Sequence, residues 1–115
     1  MKSMFSYCLN LVEINISNFK TENVTNMSNI FDHCSSAEII EISGFDTKNV
    51  KNMKSMFNNC SNINGLDLLS FNIGDNTKIN NMFNQCPKLK LLKVNRATYS
   101  LIKDQIDSSV KVVHR

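Results

Sequence analysis

Read for its apolar and polar positions, the chain keeps a single beat. Phe5, Phe31, Phe57 and Phe83 recur at one unvarying interval, and each is followed three positions later by a cysteine: Cys8, Cys34, Cys60 and Cys86. Met4, Ile30, Met56 and Met82 directly precede the phenylalanines, while Met1, Met27, Met53 and Ile79 lie four positions before them. A period of this length held without slippage marks a repeat architecture, in which no unit can bury its apolar face alone and its neighbours must cover it.

Each cysteine is followed by a second pattern: apolar, two variable residues, apolar, one variable residue, apolar. Its four copies are Leu11-Ile14-Ile16, Ala37-Ile40-Ile42, Ile63-Leu66-Leu68 and Leu89-Leu92-Val94. The final spacing of two predicts short strands over 13–16, 39–42, 65–68 and 91–94, with Ile14, Ile40, Leu66 and Leu92 on the inner face of one parallel sheet. Between strands the period changes. Val24, Met27, Ile30, Phe31 and Cys34, and likewise Val50, Met53, Met56, Phe57 and Cys60, follow the spacing of one helix face, with Thr21 and Thr47 placed as N-caps. Phe19, Phe45 and Phe71 form a further column in the turn from strand to helix, and Ala97 takes the fourth place.

The ends depart from the pattern. Met1 aligns with Met27, inside a unit rather than at its start, so residues 1–10 read as a partial first coil; either an upstream region is expected, or this partial unit caps the stack. Residues 97–115 read as a C-terminal cap, with a closing helix over Tyr99–Asp107, where Ile102 and Ile106 lie one turn apart. Val110–His114 either extends that helix or forms a short edge segment. With 115 residues and no linker-like stretch, the chain is expected to form one domain.

Charge adds an asymmetry. Residues 1–87 carry 6 Lys or Arg against 8 Asp or Glu, whereas residues 88–115 carry 7 against 2. The basic end is not interleaved with exposed aromatics that would stack on bases, so no nucleic-acid partner is expected. No apolar run is long enough to span a bilayer, and the N-terminus lacks the apolar core of a secretory signal, so no direct membrane insertion is expected.

The segments FKTENVTNMSNIFDHCSS, FDTKNVKNMKSMFNNCSN and FNIGDNTKINNMFNQCPK resemble the BspA-like leucine-rich repeat surface proteins. The unit is clearest in Phe45, Asp46, Thr47, Asn49, Val50, Asn52, Met53, Met56, Phe57 and Cys60. Lys20 and Ile30 depart from it in the preceding copy, and Ile73, Asn76 and Ile79 in the following one. The resemblance implies an α/β fold: a right-handed leucine-rich repeat solenoid with a parallel concave sheet and short convex helices in 26-residue coils. It also implies a place at the cell surface or outside the cell in the full-length protein, and a role in adhesion or macromolecular recognition.

Candidate chemistry is sparse. Four cysteines repeated along a stack do not gather as a tetrahedral zinc set, and the expectation is reduced, buried thiols with no metal. His33 is adjacent to Cys34, but neighbouring helical side chains do not share a direction, so a Cys-His nucleophile is not expected. The sequons at Asn15, Asn23, Asn26 and Asn59 are what an Asn-rich chain produces by chance. Phosphate-binding glycine motifs and Cys-x-x-Cys clusters are absent from the sequence, no cofactor is expected, and the chain reads as a non-enzyme.

The positions that vary between units are the informative ones. Glu13, Ile39, Gly65 and Leu91 share one outward strand column; Asn15, Glu41, Asp67 and Lys93 share the next; Ser17, Ser43, Leu69 and Asn95 border them. Glu13, Asn15, Ile39, Glu41, Asp67, Leu69, Leu91 and Lys93 are therefore the candidate partner-binding residues, with apolar anchors and orienting charges on one face. The expected partner is a protein or a cell-surface glycan. A structural spacer, or an end-to-end homo-oligomer, is the alternative.

Overall fold

In the computed structural model, which describes residues 1–115, alternation of apolar residues gives four short parallel strands where it is strongest: β1 (Glu13–Asn15), β2 (Ile39–Glu41), β3 (Gly65–Leu68) and β4 (Leu91–Val94). Each residue pairs with its equivalent in the next unit, Glu13 with Ile39 and Gly65 with Leu91, so the sequence period is the pairing register. Ile14, Ile40, Leu66 and Leu92 are buried, as are Ile16, Ile42, Leu68 and Val94 two positions on. The result is a small α/β domain with parallel strands in two sheets and one short helix.

The expected single sheet is split. β1 pairs only with β2, and β3 with β4 and β5 (Lys111–Val113). The N–H groups of Glu38 and Ile39 both donate to the Val12 carbonyl, and those of Lys90 and Leu91 to the Asn64 carbonyl. The equivalent bonds from Asn64 and Gly65 to the Glu38 carbonyl are not made, nor is that from Ile42 to Asp67. Glycine at the head of β3 is the poorest strand former available there, and the ladder opens at that point.

The short helices expected over 21–34 and 47–60 are replaced by turns. Asn29, His33, Ser55 and Asn59 have φ near +60°, as do Ser3, Tyr7, Asn81 and Gln85 in the equivalent positions, and a right-handed helix cannot contain them. The backbone bonds run between units instead: Met27, Asn29, Phe31 and His33 donate to the carbonyls of Asn52, Lys54, Met56 and Asn58 at 2.8 to 3.0 Å. The apolar three-and-four spacing survives because each left-handed residue turns the chain so that Met27, Ile30, Phe31 and Cys34 still point inward, where all four are buried. The turn face is thus tied unit to unit without a break, at the spacing of hydrogen-bonded strands, about 4.8 Å. The helical layer expected on the far side is missing.

This geometry separates the two conformations experimentally. A glycine within a helix costs about 1 kcal/mol relative to alanine, whereas at a left-handed position it removes a Cβ penalty of roughly 1 kcal/mol. Ser55→Gly is expected to leave the melting temperature unchanged or slightly raised; a fall of several degrees would restore the helix.

Thr21 and Thr47 are not N-caps. The Thr21 hydroxyl donates to the Asp46 carbonyl (3.0 Å) and accepts from the Asp46 N–H (2.8 Å), and Thr47 does the same with Asn72 (3.2 and 2.8 Å). Both threonines are buried, and each satisfies a peptide of the following unit. The phenylalanines stack along the interior, with Phe5, Phe31, Phe57 and Phe83 at centroid distances of 6.0, 5.6 and 5.5 Å, and Phe45 on Phe71 at 6.4 Å.

The C-terminal segment closes one end. The helix α1 runs over Arg96–Ile102, earlier than the expected Tyr99–Asp107, because Asn95 caps it by accepting the Thr98 N–H at 2.8 Å. A short 3-10 helix follows over Lys103–Gln105. The undecided Val110–His114 segment is the edge strand β5, parallel to β4. The Gln105 amide imitates the peptide of a further unit: its Oε1 accepts from Phe83 N–H (3.3 Å) and its Nε2 donates to the Ile79 carbonyl (2.8 Å).

Candidate functional site: the outward sheet face

The strand register brings the candidate residues together in two groups. Glu13 lies beside Ile39 and Asn15 beside Glu41 on β1 and β2; Leu91 lies beside Gly65, and Asp67 beside Lys93, on β3 and β4. Ile39 is half exposed, at 50%, Glu13, Asn15 and Lys93 are exposed, and Glu41, Asp67, Leu69 and Leu91 are partly covered. β5 extends the second group, placing Lys111 beside Leu91 and Val113 beside Lys93. The open seam between β2 and β3 divides the two.

Three of these side chains also end their own strands. The Asn15 Oδ1 accepts from Ser17 N–H (3.2 Å), the Glu41 Oε1 from Ser43 N–H (3.2 Å), and the Asp67 Oδ1 from Leu69 N–H (3.0 Å). A side-chain oxygen folding back two residues is the usual polar closure of a turn. The sequence signal was present in the repeated Asn/Glu/Asp column, but its reading as orienting charges missed this local bond. Lys93 makes no such bond.

The seam opens into a groove of about 600 Å³ lined by Glu38, Asn62, Asn64, Gly65, Lys88, Lys90 and Leu91. Of these, only Leu91 belongs to the residues chosen from the sequence.

The other candidate residues lie on the opposite, turn face. His33 is half-buried: its Nδ1–H donates to the Asp32 carboxylate at 2.7 Å, and its Nε2 accepts from the Asn59 amide at 3.1 Å. Its ring stacks on Tyr7 with centroids 4.3 Å apart. Asp32, itself buried, also accepts from the amides of Asn29 (2.9 Å) and Asn58 (3.1 Å). Cys34 points away from this cluster, its Sγ donating to the Phe5 carbonyl at 3.1 Å. Cys60 and Cys86 repeat that bond to Phe31 and Phe57, both at 3.1 Å, and all four cysteines are free thiols. Burial pushes the Cys34 and Cys86 thiols up to about 11 and Cys60 further still, which keeps thiolate scarce at neutral pH. His114 docks on the edge, its Nδ1–H donating to the Val94 carbonyl at 2.8 Å.

No helix is long and apolar enough to cross a membrane. No curated protein and no solved structure matches the chain. A family model does match it, over residues 1–105, taking in all four Phe-Cys segments, all four strands of the repeat and α1. The chain therefore belongs to the family described as "Mycoplasma protein of unknown function, DUF285".

Proposed function

We propose that this chain is a non-catalytic recognition module: a leucine-rich repeat solenoid of the BspA-like kind, displayed at the cell surface and binding a protein or a cell-surface glycan through its outward sheet face. One observation carries the reading. The inward columns repeat the same residue types and are buried, while the outward columns of the same strands change from unit to unit, from Glu13 through Ile39 and Gly65 to Leu91. A rigid backbone ladder that presents differing side chains at fixed spacing suits distributed contacts rather than bond-making chemistry.

The test is capture of extracellular proteins and glycans by the immobilised chain, comparing wild type with a Glu41→Gln, Asp67→Asn, Lys93→Gln triple variant. These changes remove charge but keep the oxygens that close the turns at Ser43 and Leu69. Binding is expected to weaken about tenfold or more, as befits the loss of several orienting charges, with an unchanged melting temperature. Full retention of binding by a folded triple variant would move the site elsewhere.

A second reading, end-to-end association, is favoured by the exposed apolar residues of the first unit. Met4, Leu9, Leu11, Val12 and Phe19 are 41 to 53% exposed, although the later members of the Leu11 and Phe19 columns, Ala37 and Ile63 or Phe45 and Phe71, are buried. Sedimentation as a monomer at every concentration would remove this reading.

A further inference from the structure

The groove at the seam raises a question that packing leaves unanswered: why Gly65 is a glycine. Its φ is not positive, so the backbone does not require it. A Cβ built there would lie 3.7 Å from the Leu91 carbonyl oxygen and 3.9 Å from the Leu91 Cβ, which is ordinary contact. Gly44 is the contrast, since a Cβ there would press to 2.7 Å on the Ser17 carbonyl oxygen. Glycine inside a strand weakens it and is found where another backbone or a ligand approaches closely.

What surrounds the gap gives its chemistry. The Asn64 N–H has no protein acceptor, because the bonds that Glu38 and Lys90 make in the equivalent positions are missing here. The Lys88 ammonium is held at 2.8 Å by the Asn62 Oδ1, and the Asn62 amide is held in turn at 2.8 Å by the Ser35 carbonyl, so this cation is positioned before any ligand arrives. Lys90 lies on the same wall. The lysine ion pair of the structure, Lys48 with Asp46, engages neither of these lysines. Both charges are therefore available, and each strong bond they make to an anion is charge-assisted.

We infer that the groove at Gly65 is a binding site for an acidic peptide segment in extended conformation lying across the outward face, with a carboxylate received by Lys88 and Lys90 and one peptide carbonyl accepting the free Asn64 N–H. A peptide fits better than a sugar on two counts. The free Asn64 N–H is a donor suited to a peptide carbonyl, and the lining residues include no aromatic ring on which the apolar face of a pyranose would rest. Glu38 on the opposite wall limits the negative charge to one side, so the acidic residues are short in number and flanked by neutral ones. The site deepens the sheet-face reading and rests on it.

The probes are an eight-residue peptide of Ser and Thr with two central glutamates, the same peptide with two glutamines, and a uronic acid oligosaccharide. Calorimetric titration of the whole chain at low salt is expected to show the glutamate peptide binding about tenfold more tightly than its glutamine counterpart, with the difference shrinking as salt is added. Gly65→Val and the Lys88→Gln, Lys90→Gln pair are each expected to abolish that difference. The lysine pair lies on exposed positions and decides the matter if Gly65→Val disturbs the fold. Equal binding of the two peptides, a difference that persists in the lysine pair, or binding of the oligosaccharide alone would overturn the proposal. If the peptide fails while the Glu41, Asp67 and Lys93 variant still loses its partner, the groove alone is wrong. If the peptide binds and that variant keeps its partner, the wider sheet-face reading is wrong.

Discussion

Raising the pH above about 9 is expected to unfold this protein far more steeply than an ordinary domain of its size. The cause is the column of buried thiols. Burial, with smaller repulsion from the neighbouring cysteines, lifts Cys34 to about 11 and Cys60 higher, and burial alone lifts Cys86 to about 11. In the unfolded chain the same thiols ionise near their ordinary value of 9.0. Between those values the unfolded state sheds protons that the folded state keeps, so stability is fully present below pH 9 and falls as pH rises toward the folded-state values. Each thiol contributes a slope of about 1.4 kcal/mol per pH unit in that window, against a total stability of roughly 5 to 15 kcal/mol for a domain. Denaturant melts under reducing conditions at stepped pH would measure it, and Cys86→Ser is expected to make the slope shallower by about one thiol's share. A midpoint that stays flat until the lysines and tyrosines titrate would contradict the buried-thiol arrangement.

Phe57→Ala is expected to cost about 3 to 5 kcal/mol, the range for truncating a buried aromatic side chain. Phe57 is fully buried and lies centrally in the Phe column, 5.6 Å from Phe31 and 5.5 Å from Phe83. Its backbone N–H donates to Met82 and its carbonyl receives the Cys86 thiol, so the ring stands where two unit-to-unit bonds are made. The cavity cannot be filled by a local shift, because turn-face backbone bonds tie the Phe57 unit to the units on either side. Phe19→Ala is the matched control: Phe19 is 42% exposed and its loss is expected to cost less than about 1 kcal/mol. Comparable losses at the two positions, read from denaturant midpoints, would mean that the columns are not packed as described.

Two features of the site show where sequence reading stopped. Ile39, Leu91 and Lys93 were legible because strand alternation assigns each residue to a face, and the outward face is where they lie. Lys88, Lys90, Asn62 and Asn64 were not: they flank the buried Leu89 and Ile63 ahead of the strands, and their meeting depends on neighbours a whole unit away along the chain. Gly65 was the available signal: a glycine in a column otherwise filled by larger residues marks a gap, but only the folded structure shows whether packing demanded it.

The register, the inward columns and the strand positions to within a residue follow from the order of amino acids alone, because a two-residue alternation restated once per unit admits one way to bury all its apolar members. The choice between helix and turn on the far side was settled only by packing in three dimensions. Both place inward residues at spacings of three and four, and the outcome lies with backbone N–H groups that find their acceptors in the next unit rather than one turn back. The same nonlocal bonds turned Thr21 and Thr47 from caps into ties between units, and their absence between β2 and β3 opened the seam that no local pattern announces.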